Sequence, residues 1–247
     1  MVASVVPGVR GPVDDFVLRR STRARRPRLT IRPDGTVVVT LPQRMAPHWA
    51  AQLVAERRSW IARHRARLAS LRSALAARPP LGAGRPVSFG GIDHAVSILV
   101  RPERGRSRVL HEDEPEPFLR VELAPSDERP PAAVLEAWLR AEARAAVERR
   151  VVVRARDLGV RMGRLAIRDQ RSRWGSASRR GALSFSWRLV LTPPWVLDYV
   201  VVHEVAHLLD FSHSPRFWDL VRGLVPQAEA ARRWLRSHDT ELRHALD

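Results

Sequence analysis

The chain has 247 residues, enough to bury a sizeable core in one or two domains, and it contains no cysteine. Disulfide frameworks and thiolate metal sites are therefore excluded, and we expect a cytoplasmic protein. Its formal net charge is +17, with 43 basic residues against 26 acidic ones.

The sequence predicts neither secretion nor membrane spanning. Residues 1–15 lack a basic start followed by an apolar stretch of signal-peptide length. The apolar run around Val200 is interrupted by Asp198, His203 and Glu204, whereas a membrane-spanning helix needs about 20 predominantly apolar residues.

The positive charge is the electrostatic footprint that phosphate binding requires, so nucleic acid has to be considered as a partner. Every basic residue is arginine, and lysine and asparagine are both absent. A GC-rich genome explains arginine in place of lysine, but not the excess over acidic residues. The arginines cluster at Arg19, Arg20, Arg23, Arg25, Arg26 and Arg28, and again at Arg168, Arg171, Arg173, Arg179 and Arg180. We expect solvated basic faces there, which makes nucleic acid the less favoured partner.

The N-terminal part, residues 1–125, is predicted to be rich in β-structure with one amphipathic helix. Residues 28–32 and 36–41 flank Pro33-Asp34-Gly35, whose turn chemistry predicts a β-hairpin. Apolar residues at helical spacing then predict a single helix over about residues 46–77. Its apolar face comprises Trp49, Leu53, Trp60, Ile61, His64, Leu68, Leu71 and Leu75.

Strands, loops and a long helix are predicted to follow. They are a hairpin over Val87–Val100 around Gly90-Gly91, a loop over His111–Glu116, a strand over Phe118–Leu123, a loop over Pro125–Pro131 and a helix from Ala132 to about Leu158 stopped by Gly159. Two further strands, Leu165–Asp169 and Leu183–Leu191, enclose a loop that contains Arg173, Trp174, Gly175 and Ser176. This order predicts an α+β fold, with residues 126–247 as a C-terminal catalytic region on which the N-terminal part packs.

The most informative feature is the run His203-Glu204-Val205-Ala206-His207 within an apolar segment. Four residues are just over one helical turn, so the two histidines lie on the same face of a helix and can reach one ion. Catalytic zinc takes three protein ligands and leaves its fourth position to water. Glu204, one step round the helix, is placed to take a proton from that water. The motif therefore predicts metal-assisted hydrolysis.

The surrounding residues predict the ends of this helix and a third ligand. Thr192 is a candidate N-cap, followed by prolines at the first helical positions, and the helix is predicted to end soon after Leu209. His213 falls on the next turn, directly before the predicted N-cap Ser214, and is the leading third ligand. The alternative ligands are Asp210, Asp219, Glu229 and His238.

Four segments carry a resemblance to a known family: Ser172–Ser176, Leu183–Pro193, Leu197–Leu208 and His213–Trp218. They resemble the YgjP-like family of bacterial metal-dependent hydrolases, relatives of the SprT-like zincin metallopeptidases. The resemblance implies a zincin-like catalytic part, with its helix beside a small sheet, in which His203, His207 and His213 hold zinc and Glu204 is the catalytic base. This chain has Ala177 where the family usually has cysteine, a position that is not a predicted metal ligand.

The loop before the second strand supplies candidate substrate-binding residues: Arg173, Trp174, Gly175 and Ser176. In zincin-type peptidases a sheet edge beside the metal holds the substrate as an added strand. Gly175 permits close backbone approach, and the Arg173 guanidinium suits a carbonyl or a phosphate. The alternative is that Trp174 is a core anchor and Arg173 its surface neighbour.

These observations favour a zinc-dependent metallopeptidase acting on peptides or proteins. One alternative is a metal-dependent nucleotide or phosphoester hydrolase, which the arginines near Arg173 favour. The other is a nucleic-acid-binding protein with SprT-like protease activity or a structural metal. Structural zinc normally has four protein ligands, and the three evident here argue against the structural role.

Overall fold

The computed structural model describes residues 15–170 and 172–247 of the chain. Residues 1–14, most of the segment assessed for a signal peptide, and Arg171 of the second arginine cluster lie outside the described residues. The described residues form six α-helices and three small sheets. The α+β class predicted from the sequence is therefore confirmed.

The chain divides into two compact units, Met1–Arg78 and Pro79–Asp247. The sheet over residues 87–123 thus belongs to the same compact unit as the C-terminal helices. The division between residues 125 and 126 stays a prediction about domain organisation.

Within the first unit, residues 15–78 form one sheet and two helices. The elements are β1 (Phe16–Ser21), β2 (Arg28–Ile31), β3 (Val37–Pro42), α1 (His48–Glu56) and α2 (Arg58–Ala76). The predicted β2–β3 hairpin is confirmed. In its turn, the Asp34 carboxylate accepts a hydrogen bond from the Thr36 N–H at 2.8 Å, and Gly35 supplies a φ of +85°. Strand β1, which was not predicted, pairs with β3 in parallel.

The prediction of a single helix over residues 46–77 is wrong, because the chain forms α1 and α2 with a break at Arg57. Arg57 departs from helical geometry, with a φ of −102° and a ψ of 10°. The break separates the two halves of the expected apolar face. Ile61 is fully buried, but Trp49 and Trp60 remain 45% and 40% exposed.

The second unit contains two sheets and four α-helices among its described residues. The elements are β4 (Val87–Phe89), β5 (Ile92–Val100), β6 (Arg108–Glu112), β7 (Phe118–Leu123), α3 (Pro131–Asp157), β8 (Leu165–Arg168), β9 (Gly175–Ala177), β10 (Leu183–Ser186), a 3₁₀ helix (Trp187–Leu191), α4 (Pro194–Ala206), α5 (Pro215–Leu224) and α6 (Ala228–Arg243). The strand orders are β4-β5-β7-β6 and β8-β10-β9. The hairpin around Gly90-Gly91, strand β7 and the long helix α3 confirm predictions.

Three predictions about strands and loops in the second unit are wrong. His111 lies in strand β6 and not in a loop. Strand β9 begins at Gly175, inside the segment predicted to be a loop. The apolar run Leu183–Leu191 is a strand only as far as Ser186, whose hydroxyl accepts a hydrogen bond from the Arg188 N–H at 3.3 Å and begins the 3₁₀ helix.

Helix α4 is apolar on nearly all sides because it packs against α3, α5, α6 and β9. Its Val201, Val202 and Val205 are fully buried. At its solvent side, Asp198 accepts a hydrogen bond from the Arg154 guanidinium of α3 at 2.5 Å. Among the described residues, no helix combines the length and the apolar composition that crossing a membrane requires.

Candidate metal centre

Helix α4 begins one residue later than predicted. Pro193 occupies the N-cap position and Pro194 is the first helical residue. Thr192 is therefore not the N-cap, and its hydroxyl instead donates to the Leu189 carbonyl oxygen at 2.8 Å. Thr192 is the C-cap of the 3₁₀ helix, so this bond lies directly before α4.

The other end of α4 falls earlier than predicted. The helix ends at Ala206, with His207 as its C-cap, and does not reach Leu209. The N–H of Leu209 bonds to the Ala206 carbonyl oxygen at 3.0 Å, a tighter turn than an α-helix makes. His203 thus lies in the last turn of α4 and His207 at its cap.

The chain after α4 brings His213 back to the two helical histidines. One ligand atom from each of His203, His207 and His213 lies within 4.8 Å of the others. The Nε2 atoms of His203 and His213 are 3.4 Å apart. Two imidazole nitrogens at this separation suit a shared cation, since tetrahedral zinc with ligands at 2.0–2.1 Å separates them by about 3.3 Å.

The protonation of the rings suits metal binding. The Nδ1 of His207 lies 3.0 Å from the Asp210 carbonyl oxygen, which can only accept, so Nδ1 donates and Nε2 keeps its lone pair. Burial, reinforced by the neighbouring histidines and Arg232, lowers the pKa of His203 to about 3. Burial also lowers the pKa of His207. Both helical rings are therefore neutral near neutral pH, as ligands must be.

Asp210 organises the turn that carries His213. Its carboxylate accepts hydrogen bonds from the Ser212 N–H at 2.8 Å, the Ser212 hydroxyl at 2.7 Å and the Ser214 hydroxyl at 2.6 Å. These bonds, chiefly the one from Ser214, lower the pKa of Asp210 to about 2. Ser214 in turn caps α5 by accepting from the Phe217 N–H at 3.2 Å, which confirms the predicted N-cap.

Phe217 supports all three histidines, a role that sequence reasoning missed. Its fully buried ring lies 5.0 Å from the ring of His203, 4.5 Å from that of His207 and 5.0 Å from that of His213, measured between centroids. The sequence signal was available, because an N-cap at Ser214 places Phe217 in the first turn of α5, whose side chains point back toward the helix N-terminus.

Glu204 lies on the side of α4 that faces strand β9. The residue is 7% exposed, and the backbone N–H of Ala177 acts on its carboxyl group to lower its pKa. A Cβ atom placed on Gly175 would lie 2.5 Å from the Glu204 Cγ, closer than any side chain tolerates. The absence of a side chain at Gly175 is therefore what allows β9 to approach the carboxyl group.

The electrostatics of Glu204 suit a proton acceptor. Burial raises its pKa to about 7, against the lowering effects of the Arg173 charge and the Ala177 N–H. A carboxyl group with a pKa near neutrality can both take and release a proton. Glu204 is also not among the clustered ligand atoms of the described residues.

The predicted substrate-binding residues separate into different environments. Arg173 is exposed and acts on Glu204 through its charge. Trp174 is half-buried against the core, with the Arg243 guanidinium 4.7 Å from its ring centroid. Ser176 lies in β9, opposite Ser184 of β10.

The four alternative ligands do not join the histidine cluster among the described residues. Asp210 holds the turn, as above. Asp219 is 77% exposed, Glu229 pairs with Arg232 at 2.9 Å, and His238 stacks on Trp234 with centroids 4.0 Å apart.

Three converging histidines beside a buried glutamate that is not itself a ligand define a candidate site for metal-dependent hydrolysis. The family model of the YgjP-like metallopeptidase domain matches residues 25–238, most of the chain. The chain therefore belongs to the YgjP-like metallopeptidase domain family, and the resemblance is confirmed. Membership implies a divalent metal. Neither curated proteins nor solved structures give a significant match.

Proposed function

We propose that the chain is a zinc metallopeptidase in which His203, His207 and His213 hold the metal and Glu204 is the general base. The observation that carries this proposal is the convergence of three histidine ligand atoms next to a buried carboxylate that holds no ligand position. A structural zinc site has no need of such a carboxylate, whereas hydrolysis does.

The residues present fit zinc. The tautomer of His207 is set by the Asp210 carbonyl oxygen, and the Nε2 atoms of His203 and His213 are close enough to share one ion. Three imidazoles without thiolates form a borderline donor set that zinc accepts readily. When bound there, zinc would polarise the scissile carbonyl and lower the pKa of a water molecule.

In the proposed mechanism Glu204 moves the proton. Its carboxylate takes a proton from the attacking water and later delivers it to the leaving amine. The pKa of Glu204, raised by burial, makes proton delivery to the amine easier. The charge of Arg173 acts the other way and favours the ionised carboxylate that takes the proton from water. The Ala177 N–H favours the ionised carboxylate without competing for that proton, since it only donates.

We further propose that a peptide substrate lies along β9. This strand is at the edge of its sheet, with β10 on its other side. An extended peptide added there would form backbone hydrogen bonds beside Glu204, independent of the peptide sequence. Arg173, exposed just before β9, would stabilise negative charge that develops on the scissile carbonyl oxygen.

Substitution of Glu204 by Gln tests this mechanism. The variant should keep about one zinc at the three histidines, while turnover of unstructured peptides falls by a factor on the order of 10² to 10⁴. Glu148→Gln is the matched control, since Glu148 is an exposed residue of α3 paired with Arg144. Wild-type turnover in Glu204→Gln would rule out the assigned base.

The position of Arg173 favours one other candidate, a phosphoester hydrolase, because a guanidinium also suits phosphate. Nucleotides and phosphodiesters belong in the same screen. Arg173→Ala should lower turnover only on the true substrate class and leave zinc content unchanged. Hydrolysis of phosphodiesters without hydrolysis of any peptide would select this alternative.

A further inference from the structure

A second group of metal-binding side chains lies in the four-stranded sheet. It consists of His94 in β5, His111 in β6 and Asp113 directly after β6. We call it the His94 cluster. The Nε2 atoms of the two histidines are 3.1 Å apart, and Asp113 Oδ1 lies 3.3 Å from the first and 3.0 Å from the second.

The sheet register explains how these side chains meet. Strands β5 and β6 flank β7, and both Ala95 and Glu112 are opposite Phe118, the first residue of β7. His94 and Asp113 are the next residues outward on the two strands. They therefore lie beyond the end of the middle strand, where side chains from the outer strands can reach each other.

The hydrogen bond made by His94 on its other ring nitrogen fixes which atom faces the cluster. Its Nδ1 lies 2.9 Å from the Ile92 carbonyl oxygen, which can only accept, so Nδ1 donates and Nε2 is the ring atom that faces the other two groups. His94 Nε2 faces an oxygen of Asp113, which accepts when it is ionised. His94 is fully buried, so its Nε2 cannot turn to solvent, and a proton or a cation has to lie between it and the Asp113 oxygen.

The separations match those of a metal site. Tetrahedral zinc with ligands at 2.0–2.1 Å places them about 3.3 Å apart. The separations in the cluster, 3.0–3.3 Å, are close to this value and to the 3.4 Å between His203 and His213. The Ile92 carbonyl also supplies the outer hydrogen bond that metal-bound histidines usually make.

We propose that His94, His111 and Asp113 form a second binding site for a divalent metal of the zinc class. Two imidazoles and one carboxylate are suitable ligands, and the Asp113 side, 64% exposed, leaves room for water to complete the coordination. Its three protein ligands leave a position for water, as at the three histidines, but its carboxylate is a ligand and not a free base, so we assign the metal a stabilising role. It joins the ends of two strands that do not pair with each other.

The position of the site connects it to α4. In the β4–β5 hairpin, the N–H groups of Gly90 and Gly91 donate to the carbonyl oxygens of Val190 and Leu191, at 2.8 and 3.2 Å. A Cβ on Gly91 would lie 2.6 Å from a side-chain atom of Pro193, the N-cap of α4. Metal at the His94 cluster would thus stiffen the sheet against which α4 begins.

Zinc stoichiometry measured in variants of the full chain tests the second site. The wild type should hold two zinc ions per chain, and His203→Ala/His207→Ala should hold one. In that background, adding His111→Ala or Asp113→Asn should remove the remaining ion. Adding His238→Ala instead, a histidine outside both clusters, should leave it in place.

Two safeguards keep the test decisive. His213→Ala, at an exposed position, replaces the double variant if the latter does not fold, and circular dichroism checks every variant. Added Zn²⁺ should also raise the melting temperature of the double variant by several degrees, and this shift should vanish with His111→Ala. The proposal is overturned if the folded double variant binds no zinc, or if its zinc survives His111→Ala and Asp113→Asn. Neither result would bear on zinc at the three histidines of α4 and its following turn.

Discussion

The two clusters share one arrangement and differ in what surrounds it. In each, a main-chain carbonyl oxygen accepts from one histidine Nδ1, namely that of Asp210 for His207 and that of Ile92 for His94. Beside the three histidines, however, lies a buried carboxyl group that is not a ligand, whereas the carboxylate of the His94 cluster is exposed and belongs to the ligand set. The comparison teaches that ligand geometry alone does not make a hydrolytic site. A base held next to the metal is also required.

The largest expected effect is the loss of turnover in Gly175→Ala, which would disturb the base that distinguishes the first cluster from the second. In Gly175→Ala the new Cβ would displace the Glu204 side chain, and a misplacement of about 1 Å can lower turnover by about 10²-fold. We expect a loss of that size in a peptidase assay, with zinc retained at both clusters. Gly223→Ala is the control, since no atom lies within 4 Å of its added Cβ and the residue is helical. Equal turnover in the two variants would mean that the fit between β9 and Glu204 is unimportant.

The second prediction concerns the burial of Glu204 in metal-free protein. Its pKa rises from 4.5 to about 7 on folding, so between these values the folded chain holds a proton that the unfolded chain has lost. The contribution of Glu204 to the stability of the wild type therefore falls as the pH rises from 4.5 to about 7. Chelated Glu204→Gln should be more stable than the chelated wild type by about 3 kcal/mol at about pH 8. The difference should disappear below the unfolded pKa of 4.5.

Urea unfolding of both chelated proteins across that pH range measures the effect. Excess zinc should reduce the difference, because a neighbouring cation favours the ionised carboxyl group. A stability difference that does not depend on pH would show that Glu204 is not buried as described.

The smallest expected effect sharpens the comparison at Asp210. Asp210→Ala removes the carboxylate that holds Ser212 and Ser214, and so loosens the turn that carries His213. We expect zinc affinity at this site to fall by about 10-fold, as is typical when a residue that supports a metal ligand is lost. Zinc at the His94 cluster should be unaffected. Competition with a chelating dye resolves the two sites, and an equal loss at both would contradict their independence.

The sequence was most informative where the geometry is local. The pairing of His203 with His207 follows from helical spacing alone, and the cap at Ser214 from Ser-Pro chemistry. Gly175 approaches Glu204 from a segment that is distant in the chain. The spacing of residues along the sequence therefore could not predict this contact.

The His94 cluster was missed for the same reason. Its histidines lie on strands separated by a third, and the acidic, proline-containing composition after His111 predicted a loop. The prediction of a strand over the whole apolar run Leu183–Leu191 was wrong for a different reason. An uninterrupted apolar run is compatible with a strand or a helix, and the hydroxyl of Ser186 decided the change between them.

The early end of α4 has a consequence for the strength of metal binding. His203 lies in the last turn of the helix and His207 at its cap, where the aligned peptide dipoles of the helix leave a partial negative charge. A cation there gains about 0.3–1 kcal/mol from the dipole, in addition to its bonds with the rings. Substitutions in residues 208–212 that extended the helix would carry this negative end away from the histidines. They would also disturb the turn that carries His213, and metal binding would weaken for both reasons.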